Sequence, residues 1–435
     1  MKLQRRIKTV QSFFRQRRRA LQFDQLPDPR DPRGCRWTAS ALFSAAVLSL
    51  MMIARSLRGA ERLTEELSHT QKDRGLIRRV PDSTLGDFLA KADPAPVRDH
   101  LHRLILDEHR RKALEPTVLP IRAIAVDGKT LATLDHAANP DCQEQSTQGG
   151  PPTFVFRVLN TSLISSQVAV CIDQKPIPAD TNETGAFPSL FAELESTYGR
   201  TGLYELLSLD AGLASEENAR LIDKANKAYW IALKGNQPTL HDEARRIFRP
   251  LALHTEPEAQ TDWELDSSRG WIRRQLWRSS ELEGFGGWTH LRQVVLVRVL
   301  QAPGSQSGTA PVQGPIRILE ERLFVTNLVR GRLTGEGMLK LVRAHWHIEN
   351  KLHGTLDIEW KEDHGLWVHR GHGLPVVGLL RAIAYNLLAL LRSVHLRTVQ
   401  ARASSWQQLR DWIRDALLHP SKPDDQEPEA SAATL

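Results

Sequence analysis

The sequence predicts an α/β protein in which a mixed β-sheet is flanked by helices. Three observations carry this. Three strand-like runs, IRAIAVDGK (Ile121–Lys129), TFVFRVLN (Thr153–Asn160) and SQVAVCID (Ser166–Asp173), follow one another at the spacing of a hairpin or meander. The chain then alternates: a helical pattern over Ala186–Tyr198, a strand over Leu203–Leu209, a helix over Glu216–Lys227 and a strand over Tyr229–Leu233. Helical patterns also precede and follow this region. Successive strands followed by strand–helix alternation give a mixed sheet with helices packed on it.

The flanking elements follow from local signals. LPDPRDPRG (Leu26–Gly34) is a Pro/Asp turn that separates a basic N-terminal arm, residues 1–25, from the first apolar helix. That helix, ALFSAAVLSLMMIA (Ala41–Ala54), is shorter than the ~20 residues a membrane span needs. LPVVGLLRAIAYNLLALLR carries Arg381 and Asn386 within its apolar run, so both helices read as buried parts of a soluble, cytoplasmic protein with no membrane partner. Residues 26–115 form a helical N-terminal module. Residues 116–250 begin the α/β core, 251–328 form a β-rich insertion with Trp- and Arg-rich strands, and 329–400 supply the closing helices. Within the insertion, Ala302–Pro315 reads as a flexible loop. Residues 401–435 are a helix and an acidic tail that reads as disordered after Pro420.

Composition narrows the class. The 435 residues are 41% hydrophobic and 25% charged, as in a globular protein with a sizeable core, and the net charge is +7. Eight Lys or Arg and no acid lie between Met1 and Phe23, including Arg17, Arg18 and Arg19. This arm reads either as a solvated tail or as a phosphate-seeking segment. Three cysteines without a CxxC pair suit a reducing compartment and argue against a zinc ribbon or a disulfide frame.

The chemistry concentrates in three acids. Asp127 and Asp210 each end a buried strand, where an ionised carboxylate is costly unless paired or metal-bound. Either alone reads as a loop cap, but two in one sheet can aim at a common point. A third comes from RAHWHIENKLHGTLDIEWKED (Arg343–Asp363). As a helix, its buried stripe is Leu341, Ala344, Ile348, Leu352 and Thr355, with Glu349 beside the stripe and His345 and His353 one turn either side. The histidines tempt toward zinc, yet HWHIE lacks the zinc-protease order, and they read rather as orienting or phosphate-contacting residues. Three acids from two strands and a helix suit two divalent ions, Mg²⁺ or Mn²⁺, acting on a nucleic-acid backbone.

These segments resemble a bacterial insertion-sequence DDE transposase, in the branch that includes the H-repeat-associated proteins. LPDPRDPRG with ARSLRGAERL resembles the N-terminal module of that family. AIAVDGKTL, LLSLDAGLASEENARLI with YWIALKGNQPTL, and RAHWHIENKLHGTLDIEWKED resemble its three catalytic blocks, in order. GLPVVGLLRAIAYNLLALLR resembles its closing helix. The resemblance implies a ribonuclease H-like fold with Asp127, Asp210 and Glu349 as the catalytic, metal-binding triad. It places Lys129 on a phosphate and Lys234, Asn236 and Gln237 near the site, positioning DNA. Where related transposases carry Tyr, Arg and Lys around this Glu, this chain has Val342, His345 and Leu356, and His345 takes the phosphate contact with Arg343. The implied partners are terminal inverted repeats, target DNA and a second copy of the chain on DNA. A DNA-binding protein without catalysis, or a Mg²⁺-dependent nuclease, are the competing readings.

Overall fold

In a computed structural model of the protein, residues 3–21, 23–33, 35–70, 78–146, 150–266, 268–303, 314–362, 367–396 and 398–418 are described. The acidic tail, Asp363, most of the expected loop after Ala302 and the side chains of Arg18 and Arg19 lie outside them. Two units form: residues 1–104 with 358–435, and residues 105–357.

The first unit opens with α1 (Leu3–Leu21), α2 (Ala39–Met51), α3 (Leu57–Thr70), α4 (Asp82–Lys91) and α5 (Pro94–Arg110), in whose course the boundary between units falls. The basic arm is therefore a helix, not a tail. Its apolar stripe buries Val10 and Phe13 completely. Arg5, Lys8 and Arg15 stay exposed. Thr38 caps α2 by accepting from the Ala41 amide (3.2 Å).

The second unit holds β1 (Ala123–Leu134), β2 (Cys142–Gln145), β3 (Thr153–Leu163), β4 (Cys171–Pro176), α6 (Glu183–Tyr198), β5 (Leu206–Leu209), α7 (Glu216–Lys224), β6 (Ala228–Leu233) and α8 (Pro238–His254). It continues with β7 (Ala259–Gln260), β8 (Glu264–Asp266), β9 (Gly270–Ser279), β10 (Gln293–Gln301), β11 (Arg317–Thr326), α9 (Gly335–His345), a π-helical turn (Ile348–His353) and α10 (Gly354–Glu359), in whose course the second boundary falls. The strands make a mixed sheet of order β2-β3-β1-β5-β6-β11-β10-β9-β7, with β4 on β3 and β8 on β9. β1 runs antiparallel to β3 and parallel to β5, and β5 runs parallel to β6.

Three expectations change. Asp-Gly does not end β1: Asp127 pairs with Asn160 and the strand continues to Leu134, because β3 supplies partners beyond the glycine. The Trp- and Arg-rich segment, expected as an insertion, holds β7 to β11, and β11 bonds to β6, so this segment extends the central sheet. In the third block the next buried apolar residue after Leu352 is Leu356, not Thr355. The π turn inserts one extra residue per turn and moves the stripe on by one.

The chain returns to the first unit with α11 (Gly373–Leu390), α12 (Val399–Arg402) and α13 (Trp406–Leu418). The segment Gly373–His395 is long and apolar enough to cross a membrane, yet it is buried within the protein. Arg381 lies inside it because the fully buried Glu362 faces it at 3.7 Å. The Trp360 indole donates to the Leu50 carbonyl (2.8 Å) and packs against Trp406. On α1, Gln11 donates to the Ala416 carbonyl (2.9 Å) and Arg6 stacks over Trp412.

Candidate active site

Register brings the aspartates together. Parallel pairing of β1 with β5 ends at Val126 opposite Leu209, so the next positions, Asp127 and Asp210, stand side by side where that pairing stops, with β5 ending and β1 running on against β3. Open α/β sheets bind ligands at this edge. Asp210 precedes a short 3₁₀ turn, Ala211–Leu213, but its side chain makes no capping bond, so the loop-cap reading fails for it. Glu349 enters from the first turn of the π helix.

The three carboxylates feel one another. Burial pushes Asp127 up to about 7, and the charges of Glu349, Asp210 and Glu183 push in the same direction. Burial also raises Glu349, as does Asp210, while Arg322 and Lys234 pull it down. These two cations stand together by register: β11 and β6 pair Leu323 with Leu233, which makes Arg322 and Lys234 the next pair. Arg322 also lies over the Trp346 ring at 4.5 Å. Among the described residues, no three His, Cys, Asp or Glu side chains stand close enough to grip an ion as they are. The donor chemistry nevertheless fits a hard cation: every candidate ligand is a carboxylate oxygen, and the acids repel one another without one.

Behind Asp127 lies a buried polar chain. Gln174 Nε2 donates to Asn160 Oδ1 (3.0 Å), and Asn160 Nδ2 donates to His353 Nε2 (3.0 Å). The other nitrogen of His353, Nδ1, faces Asp127 Oδ2 at 3.6 Å. Neither Asn160 nor His353 belongs to a sequence motif that marks it as a partner of Asp127; only the β1–β3 register and the π turn bring them there.

The remaining expected site residues divide. Lys129 does not face a phosphate: it is buried and ion-paired with Asp357 at 2.8 Å. His345 does not either. Its Nδ1 meets Ser208 Oγ at 2.9 Å, and burial pulls it down to about 4, so it is uncharged near neutrality. Asn236 and Gln237 donate to the carbonyls of Ala211 (2.7 Å) and Ala214 (3.2 Å), holding the loop after Asp210. Lys234 is exposed beside Glu349. Arg343 is exposed and pairs with Glu264 at 2.7 Å. In the first unit, Arg17 is buried on α1, with Nη2 at 3.0 Å from His395.

Two charged residues beside the acids escaped sequence reading. Arg322 follows from the register of β11 against β6. Glu183 opens α6 after the capping Asn182, so its signal was hidden in a helix start.

No protein-family model matches the chain. Over 270 residues it is 26% identical to the H repeat-associated putative transposase YhhI of Escherichia coli K12, and to the same extent to the putative protein YbfL of that strain. Each alignment covers 61% of this chain and 63% of the relative, so the chain spans less than two thirds of the length of these relatives. A solved piggyBac transposase synaptic complex with hairpin DNA is 12% identical, with a TM-score of 0.41, covering 89% of this chain and 73% of that one. The chain is thus a distant relative of bacterial proteins that include a named putative transposase, as its motifs implied.

Proposed function

We propose that the protein is a DNA transposase of the DDE type, cutting strands at the ends of an insertion sequence and transferring the freed 3′-hydroxyl to a target. The observation that carries this is the meeting of Asp127, Asp210 and Glu349 at one sheet edge, beside Lys234 and Arg322. A ribonuclease H-like core is supported by the order β4-β3-β1-β5-β6, with Asp127 and Asp210 just past the parallel pairing of β1 with β5. We place the protein in the bacterial cytoplasm, on DNA.

Asp127, Asp210 and Glu349 would hold two divalent ions, Mg²⁺ or Mn²⁺. When bound, such ions supply an activated water or 3′-hydroxyl and charge stabilisation at the leaving oxygen. Lys234 and Arg322 orient the scissile phosphate through its non-bridging oxygens. The His353–Asn160–Gln174 chain keeps Asp127 from swinging away from the edge. Asn236 and Gln237 keep the loop that carries Asp210 in register.

The test is strand cleavage and joining on a duplex carrying the inverted repeats that flank the gene, with Mg²⁺ or Mn²⁺. Asp127→Ala, Asp210→Ala and Glu349→Ala should each abolish both steps and leave DNA binding intact. A wild-type chain that binds the repeats without cutting would be a DNA-binding protein instead, and normal cleavage by any alanine variant would remove that residue from the triad.

A further inference from the structure

Glu183 occupies a place that the rest of the site is shaped around. Its carboxylate lies against the glycines that follow both aspartates: a Cβ on Gly128 would overlap Oε1, and one on Gly212 would come within 3.0 Å of Oε2. Any side chain at Gly128 would have to displace this acid. Thr184 Oγ1 donates to the Gly212 carbonyl (2.6 Å), and Asn218 Nδ2 donates to the carbonyls of Thr184 (3.4 Å) and Leu213 (3.1 Å). The start of α6 is therefore fastened to the loop that carries Asp210.

The approach is distinct from that of Glu349. Successive strand residues point to opposite faces, so Gly128 opens the side of β1 away from the one on which His353 meets Asp127. The parallel pairing with β5 has already stopped at Val126, so Glu183 reaches the space beside Asp127 and Asp210 from that second side, past Gly128 and Gly212. Arg157 comes from the same side, since register sets it opposite Thr130, and its guanidinium bonds Glu183 Oε1. Charge gives the reason for a fourth acid. Two divalent ions carry four positive charges, whereas Asp127, Asp210 and Glu349 carry three negative ones. A fourth carboxylate balances the pair of ions, and Arg157 holds it in their absence.

We propose that Glu183 is a fourth carboxylate of the catalytic centre, an oxygen donor to a divalent ion held by Asp127 and Asp210. This rests on the two-ion reading above. The experiment is Mn²⁺ binding to the full chain, read from the electron paramagnetic resonance signal of free Mn²⁺, for wild type, Glu183→Gln, Glu183→Asp and Asp127→Asn. Glu183→Gln keeps the size of the side chain and a bond to Arg157 while removing the charge. It should weaken at least one ion by about tenfold or more, and Glu183→Asp, with its charge drawn back, should weaken it less. Glu183→Asp decides the matter alone if the Gln variant does not fold. If both Glu183 variants bind Mn²⁺ like wild type while Asp127→Asn does not, Glu183 is no ligand and the two-ion reading stands. If wild type binds none, or all four bind alike, both ideas fall.

Discussion

Asp127 shows what the site costs at the scale of one residue. Burial and neighbouring carboxylates hold it near 7, far above its ordinary 3.8. Between those values the folded protein keeps a proton that the unfolded chain has released, so this group lowers stability as pH rises from about 4 to 7. Three pKa units correspond to on the order of 4 kcal/mol at pH 8. In chelator, Asp127→Asn should therefore melt higher than wild type at pH 8 and alike near pH 4, while losing cleavage. Thermal unfolding at the two pH values checks this, and an equal or lower melting point at pH 8 would show that the acids do not strain the fold. His345 gives a second residue-scale prediction. Its contact with Ser208 and its depressed pKa leave it neutral at pH 7, so His345→Gln should not change the salt slope of DNA binding. A shallower slope would restore it as a phosphate contact.

The elements carry the site through loops and register more than through helix propensity. The segment between β6 and α8 binds the turn after Asp210 through Asn236 and Gln237. Asn236→Ala removes one such bond, worth roughly 1 kcal/mol. We expect about a fivefold fall in cleavage rate with DNA affinity unchanged. Single-turnover rates beside a binding isotherm separate the two roles, since loss of affinity at an unchanged rate would make Asn236 a DNA contact. The π turn acts similarly for Glu349. By adding one residue to the helical repeat it buries Leu356 and sets His353 against Asp127.

At the scale of the molecule, the basic N-terminus plays two parts. α1 buries Val10 and Phe13 in the first unit, so Phe13→Ala should cost about 3–5 kcal/mol. Chemical denaturation measures that cost, and a loss below about 1 kcal/mol would mean that α1 does not hold the unit together. Among the described residues of α1, Arg5, Lys8 and Arg15 are exposed and can meet phosphate without unfolding anything. Assembly is the other whole-molecule expectation. On the proposed function, one set of acids per chain would serve two element ends, so the protein should pair on repeat DNA as a two-fold complex. Light scattering with and without a repeat duplex tests this; one protein per duplex with both ends cut would sink it.

Much of this was legible in the chain itself. Two aspartates closing apolar runs, an acid beside a helical stripe and strands giving way to alternation are local patterns, and local burial writes them directly into the sequence. The tertiary structure decided which residues meet. The step from Val126 opposite Leu209 to Asp127 beside Asp210, and from Leu233 opposite Leu323 to Lys234 beside Arg322, depends on long-range strand pairing. Periodicity reports which side of an element is buried, but it is silent on what lies against that side. For the same reason the apolar stripe of α1 lies hidden beneath its charge, Lys129 is paired inside the protein, and Glu183, just before the helical pattern expected over Ala186–Tyr198, carries no signal until Gly128 and Gly212 show what they make room for.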